Sequence, residues 1–133
     1  MKIVVTSTGS GLDALTSPVF GRCPMYIFVD TETMQVEAVE NPALASGGGA
    51  GVQAAQFVVE RGAQAVVTGS VGPNAFNVLQ SAGVPSYLFE GGTVREAVEA
   101  YNAGRLSATG AASGPAHAGM GRGRGRRGGF GRR

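Results

Sequence analysis

Short apolar strands alternate with helices through the second half of the chain, and this alternation is the feature that most limits the fold. The strand predicted over residues 65–69 precedes a helix that begins near Pro73 and ends at Gly83. The strand predicted over 85–90 precedes a helix opened by Thr93, three residues before a glutamate. Strands joined through helices pair in parallel by right-handed crossovers. The second half therefore predicts a parallel sheet covered by helices.

The first half of the chain adds an antiparallel hairpin to this sheet. Residues 2–7 are mostly apolar and β-branched, which predicts a buried strand. Segments 25–30 and 34–40 flank the short turn 31–33, and a connection that short permits only antiparallel pairing. A helix is predicted over 51–61. The sequence thus predicts an α/β fold with a mixed five-stranded sheet and helices on its faces.

The charge of the chain is divided unequally along its length. Residues 1–117 carry five basic and nine acidic side chains, a formal charge of −4, whereas residues 118–133 carry six arginines and no acid, a formal charge of +6. The Gly- and Arg-rich composition beyond residue 107 has no periodic apolar face, so it cannot bury enough surface to offset its ordering entropy. We predict an ordered domain over 1–107 and a disordered tail over 108–133.

The sequence also limits the compartment. Its apolar runs are far shorter than the roughly 20 residues that cross a bilayer, which predicts no membrane partner. The N-terminus enters a strand directly, without the apolar region of a signal peptide. A single cysteine, Cys23, forms no internal disulfide and agrees with a reducing compartment. We therefore expect a cytoplasmic protein.

Motifs for nucleotide binding and catalysis are missing. No G-K-[ST] triplet occurs, which excludes a P-loop. The segment 49–54 formally matches a dinucleotide fingerprint, but it does not closely follow a strand and lacks the acidic residue about 20 positions later. The sole histidine, His117, lies in the predicted tail and cannot be assumed to orient a nucleophile. We predict no catalytic residue and no enzymatic activity.

Glycine-rich loops lead into all three predicted helices, over residues 46–51, 68–73 and 90–93. The free N–H groups and the dipole at a helix N-terminus attract anions. If the last two loops follow parallel strands, they open at the same edge of the sheet, where ligands bind in open α/β folds. The alternative is that these glycines only form tight turns.

The cysteine lies in a loop between Arg22 and Pro24. A buried cysteine that packs as a small apolar side chain is the commonest case. An adjacent arginine in a loop instead favours an accessible thiol with a lowered pKa. A thiolate suits copper, zinc or iron–sulfur chemistry, which makes Cys23 a candidate metal contact. One protein ligand makes a weak metal site, so the metal would arrive as a preformed unit.

Three segments together resemble the dinitrogenase iron-molybdenum cofactor biosynthesis family, of the NifX/NifB-type accessory domain. They are FGRCPMYIFVD (20–30), SGGGAGVQAAQFVVERGAQAVVTGSVGPNAF (46–76) and GGTVREAVEAYNAGRL (91–106). The similarity covers about residues 1–107 and is greatest to small stand-alone members, which include a carrier of a molybdenum–copper sulfide cluster. The resemblance implies a three-layer α/β/α fold with a ribonuclease H-like motif. It also implies non-covalent binding, without turnover, of an anionic metal–sulfur cluster or its precursor, of the Mo/Fe or Mo/Cu sulfide type.

The resemblance further implies partners and site residues. The partners would be the proteins that donate or accept the cluster. Carried over by position, the implied cofactor pocket comprises Gly21, Arg22, Cys23, Gly48, Gly49, Gly51, Gly69, Gly72, Gly91, Gly92 and Thr93. An alternative function rests on the tail, since its Arg/Gly-rich sequence is typical of segments that bind RNA phosphates and stack on bases. An acidic protein partner for the tail is equally open.

Overall fold

The computed structural model describes residues 1–44 and 50–109 of the 133-residue chain, so the predicted tail beyond residue 109 lies outside the described residues. The elements are β1 (Lys2–Ser7), a 3₁₀ turn (Phe20–Arg22), β2 (Met25–Asp30), β3 (Val36–Glu40), α1 (Ala50–Glu60), β4 (Ala65–Thr68), α2 (Pro73–Ser81), β5 (Ser86–Leu88) and α3 (Val94–Asn102). No helix among these residues is long and apolar enough to cross a membrane.

The strands form one mixed sheet in the order β3-β2-β1-β4-β5. β1 pairs antiparallel with β2, and β2 pairs antiparallel with β3. β4 pairs in parallel with β1 on one side and with β5 on the other. This topology confirms the predicted mixed five-stranded sheet, with the hairpin as its antiparallel part.

Helices cover both faces of the sheet. Val4 and Val66 point to the face that α1 and α2 cover, where they join a buried cluster with Leu79. Ile3 and Val5 point to the opposite face and pack with buried residues of α3. Because both faces are covered, the central strands are apolar at successive positions instead of alternating with polar residues. The three-layer α/β/α arrangement is confirmed, and the ribonuclease H-like designation stays a prediction.

The hairpin turn is longer than predicted, because β3 begins at Val36 and not at residue 34. The Asp30 carboxylate accepts hydrogen bonds from the N–H groups of Glu32 and Thr33, at 2.9 and 3.2 Å. Met34 then adopts a left-handed conformation with φ of 63°. An aspartate carboxylate that accepts a hydrogen bond from the N–H two residues later stabilises a turn instead of a strand. This local bonding ends the ladder earlier than the apolar pattern indicates.

The chain returns to the sheet after α3. Ala108 pairs antiparallel with Tyr87, and the Thr109 N–H donates to the Ser86 carbonyl at 2.8 Å. Residues 108 and 109, which the sequence assigned to the tail, thus lie against the edge strand β5. The domain boundary at 107 and the disorder of the tail both stay predictions, and residues 110–133 lie outside the described part of the chain.

Candidate functional site

One edge of the sheet collects most of the predicted site residues. β1, β4 and β5 are parallel, so their carboxyl ends lie at the same edge. At that edge Ser7 pairs with Met25, and Met25 pairs with Glu40, so β2 begins and β3 ends there. The loops that leave these strands therefore meet at one side of the molecule, as predicted for an open α/β sheet.

A cavity of about 270 Å³ opens at this edge, between the 3₁₀ turn and the N-terminal turns of α1 and α2. Four of the predicted residues line it, namely Gly21, Arg22, Gly51 and Gly72. The sequence reasoning missed its other lining residues, which are Val19, Ala50, Val52, Pro73, Asn74 and Ala75. The sequence could have indicated that the first turn of α2 lines the cavity. Pro73 begins the helix, and the glycine before it has no side chain to cap the free N–H groups.

Two glycines bring the walls of the cavity together. A Cβ on Gly21 would lie 3.0 Å from the Cα of Gly51, and a Cβ on Gly51 would lie 3.4 Å from the Cβ of Ala75. A side chain at Gly21 would therefore push the 3₁₀ turn away from the backbone of α1, whereas a Cβ at Gly51 would make ordinary van der Waals contact with α2. The glycine at position 21 permits the close approach of the turn to α1.

The electrostatics of the cavity favour an anion. Arg22 is exposed, and its guanidinium forms no ion pair with any residue that the structure describes. Gly72 is the N-cap of α2 and provides no capping side chain, so the first-turn N–H groups of Asn74 and Ala75, two residues that line the cavity, receive no side-chain cap. Among the residues that the structure describes, no aspartate or glutamate lines the cavity. Positive charge and helix dipoles thus act in the same direction.

The loop after β5 does not line this cavity, so the structure does not bring Gly91, Gly92 and Thr93 together with the other predicted residues there. It packs instead against the segment that follows β1. The Thr16 N–H donates to the Gly92 carbonyl at 2.8 Å, and Leu15 pairs antiparallel with Thr93. The loop is therefore a structural contact between α3 and the β1–β2 connection.

The N-terminus of α3 also lacks free donors. Thr93 and Glu96 form the predicted capping box, in which each side chain binds the backbone N–H of the other. The N–H groups of Val94 and Arg95 donate to backbone carbonyls of residues 12–14, at 2.9 and 2.8 Å. An anion at this helix end would have to displace protein acceptors. Of the helix N-termini predicted as anion sites, that of α3 is already occupied by the protein.

Gly69 has a packing role outside the cavity. A Cβ at this position would lie 2.6 Å from the Pro18 carbonyl oxygen and 2.9 Å from the Pro18 Cα, which no side chain tolerates. Its predicted contact with a cofactor is therefore replaced by backbone contact. Gly48 and Gly49 fall within residues 45–49, which lie outside the described residues, so their place in the site stays a prediction.

The thiol of Cys23 lies in the core and not in the cavity, so the prediction of an accessible, acidified thiol is wrong. The side chain is 0% exposed, and its Sγ donates to the Phe20 carbonyl at 3.5 Å. Burial raises the pKa of Cys23 to about 11, because a thiolate there would lose its hydration. Cys23 therefore packs as a small apolar residue, and among the described residues no group of three His, Cys, Asp or Glu side chains could hold a metal ion.

Alkylation of the folded protein at pH 8 is expected to be at least about 100-fold slower than that of the urea-unfolded chain. The pKa of Cys23 near 11 leaves about one thiol in a thousand ionised at that pH, and burial blocks the reagent as well. Mass spectrometry of iodoacetamide-treated samples over time measures both rates. The Arg22→Gln variant is the control, and its folded rate should match that of the wild type. Rapid labelling of the folded wild type would contradict the buried position.

The chain is similar in sequence and fold to proteins of one family. Residues 1–104 match the family model described as dinitrogenase iron-molybdenum cofactor. The chain is 40% identical to the orange protein of Desulfovibrio gigas, whose apo structure superposes with a TM-score of 0.82 over 85% of this chain and 96% of that one. It is also 40% identical to a putative NifB protein from Thermotoga, with a TM-score of 0.71 over 80% of this chain and 91% of that one.

A more distant relative extends the comparison to archaea. An uncharacterised protein of Methanocaldococcus jannaschii is 28% identical over 93 residues, which is 68% of this chain and 79% of the relative. The family match spans the sheet, all three helices and the cavity described above. The chain therefore belongs to the dinitrogenase iron-molybdenum cofactor family.

Proposed function

We propose that this protein is an accessory carrier that binds an anionic metal–sulfur cluster, or its precursor, in the cavity between the 3₁₀ turn, α1 and α2. The observation that carries the proposal is the convergence of Arg22 with two helix N-termini around a space that no carboxylate lines in the described part of the chain. Such donors bind a negatively charged inorganic unit without a covalent link to the protein.

The polarity of the cavity suits a thiometallate better than a bare cation. A metal cation would face the positive ends of two helices and a guanidinium, all of which repel it. A metal already surrounded by sulfide carries a net negative charge, which the same groups attract. The metal–sulfur bonds would belong to the bound unit, while the protein would provide shape, hydrogen bonds and charge.

The lining residues also support a carrier and not an enzyme. Arg22 and Asn74 are the polar side chains among the described lining residues, and neither side chain is an ordinary general base or nucleophile. The buried Cys23 lies outside the cavity and is protonated at neutral pH. Family membership supports an iron- or molybdenum-containing unit, and a Mo/Cu sulfide remains the alternative that the resemblance implies.

Anaerobic titration of the full chain with tetrathiomolybdate is expected to show saturable binding of one equivalent. Visible absorption and calorimetry would follow the titration, and metal analysis of protein purified anaerobically from its native host would identify the natural unit. Sodium chloride at moderate concentration should weaken binding only modestly, since the helix donors are part of a recessed site. The absence of saturable binding at millimolar ligand would overturn the proposal.

The tail requires its own control, because its six arginines also attract anions. A full-length variant in which serine replaces all six tail arginines should keep the single equivalent of bound tetrathiomolybdate. Loss of binding in this variant would assign the anion site to the tail and contradict the cavity. The same variant tests the RNA hypothesis, since a salt-sensitive RNA gel shift that depends on the tail would disappear with the arginines.

A further inference from the structure

The 3₁₀ turn that carries Arg22 is held by a buried amide from another part of the chain. The Asn41 side chain is 6% exposed, and its Nδ2 donates to the Gly21 carbonyl at 3.1 Å and to the Cys23 carbonyl at 2.9 Å. Its Oδ1 accepts the Ala43 N–H at 2.9 Å. One side chain thus connects the 3₁₀ turn, which lines the cavity, to the segment that follows β3.

Two further carbonyl groups at the turn also have protein donors. The Tyr26 hydroxyl donates to the Phe20 carbonyl at 2.5 Å, and the Arg22 N–H donates to the Val19 carbonyl at 3.2 Å. With the two bonds from Asn41, four backbone carbonyls between residues 19 and 23 have protein donors. A carbonyl that is hydrogen-bonded within the protein cannot turn towards the cavity without losing its partner.

These bonds determine which end of the peptide dipoles an anion meets. A carbonyl oxygen on the cavity wall would repel an anion and attract a cation, whereas N–H groups and a guanidinium do the opposite. Asn41 binds the carbonyls of Gly21 and Cys23, and Arg22, the residue between them, lines the cavity. Asn41 itself is not among the described residues that line it.

We propose that Asn41 is a positioning residue for anion binding, which keeps the carbonyl groups of Gly21 and Cys23 away from the cavity and Arg22 beside it. The inference rests on the proposed function, and it adds to that function the selection of anions over cations. A purely structural asparagine would stabilise the fold without acting through Arg22. The two roles predict different anion affinities when substitutions of Asn41 and Arg22 are combined.

Asn41→Leu in the full chain removes both donors while keeping a side chain of similar shape. We expect it to weaken tetrathiomolybdate binding at least about tenfold, since two buried carbonyls lose their partners and the turn rearranges. Asn102→Leu is the matched control, because the Asn102 Nδ2 also donates to a backbone carbonyl, that of Thr31, but at an exposed position away from the cavity. The control should bind like the wild type.

A double-mutant cycle separates positioning from general stability. If Asn41 acts through Arg22, Asn41→Leu should add less than about threefold to the loss already caused by Arg22→Gln. Additive effects would overturn the proposal. Asn41→Ser is the second variant in case leucine prevents folding, and its one remaining donor should give an intermediate affinity.

A measurement without ligand keeps this inference distinct from the proposed function. In {¹H}–¹⁵N NOE experiments, the amides of Gly21, Arg22 and Cys23 should become more mobile in Asn41→Leu or Asn41→Ser, while those of α2 stay rigid. Unchanged order of the turn would overturn the positioning role even if the protein binds tetrathiomolybdate. The turn could instead become more mobile in these variants while the wild-type protein binds no such anion. That pair of results would overturn the proposed function and leave Asn41 as the residue that orients the turn.

Discussion

Arg22→Glu is expected to weaken tetrathiomolybdate binding by about 100-fold. Two unit charges roughly 5 Å apart interact by about 3 kcal/mol at the effective dielectric of a protein surface, and the substitution replaces attraction by repulsion. Solvent and salt reduce this value, because Arg22 is exposed. A loss of about 2.7 kcal/mol corresponds to the expected change in affinity. Calorimetric titration at two salt concentrations measures it, and the loss should be smaller at the higher concentration.

Three variants control for other causes of that loss. Arg22→Gln removes the attraction without adding repulsion, so its effect should be about tenfold. Arg105→Glu makes the same change in net charge beyond the end of α3 and outside the lining of the cavity, so it should bind nearly as well as the wild type. Cys23→Ala should also retain affinity, because its thiol is buried. Equal binding by wild type and Arg22→Glu would place the anion elsewhere on the chain.

Gly69→Ala is expected to destabilise the fold by about 3 kcal/mol or more. The added Cβ would meet the Pro18 backbone at 2.6 and 2.9 Å, and neither atom belongs to a flexible side chain that could move aside. The displacement would extend to the 3₁₀ turn. Ser70, which follows Gly69, accepts a hydrogen bond at its carbonyl from the Phe20 N–H at 3.1 Å. Urea unfolding followed by circular dichroism measures the change in the free energy of unfolding.

Gly11→Ala is the matched control for this substitution. A Cβ on Gly11 would meet nothing within 4 Å, and its φ lies outside the left-handed region. Its effect on stability should be within about 1 kcal/mol and could be favourable, since alanine reduces the entropy of the unfolded chain. If Gly69→Ala were as stable as Gly11→Ala, the close approach between residues 18 and 69 would be incorrect.

The fold could be predicted largely from local sequence features, because those features act within a few residues. The short turn after Asp30 forced antiparallel pairing, Pro73 began a helix, and Thr93 with Glu96 formed a capping box. The alternation of strands and helices then determined the parallel half of the sheet. The start of β3 was misjudged because local turn bonds replace ladder bonds at residues 34 and 35. The Met34 N–H donates to the Asp30 carbonyl, and the Gln35 N–H donates to the Thr33 hydroxyl.

The candidate site was predicted only in part. Gly21, Arg22, Gly51 and Gly72 meet at one cavity, because strand direction brings their loops to one edge of the sheet. A glycine-rich loop also precedes α3, but there the N–H groups at the helix N-terminus are already bonded within the protein. Sequence identifies a helix N-terminus, but it does not show whether distant residues already occupy its donors. In α3 the carbonyls of residues 12–14 do so, from about eighty positions away.

By itself, the sequence determined the element types, the mixed sheet and the edge at which loops gather, since periodicity and turn chemistry are local properties. Only the tertiary structure decided which of those loops enclose a cavity and which side chains reach it. Cys23 and Arg22 are neighbours in sequence, yet the thiol is buried under the Phe20 carbonyl while the arginine is exposed at the rim. The physical reason is that exposure, and with it pKa and charge, depends on contacts such as those of Asn41, which join segments far apart in the chain.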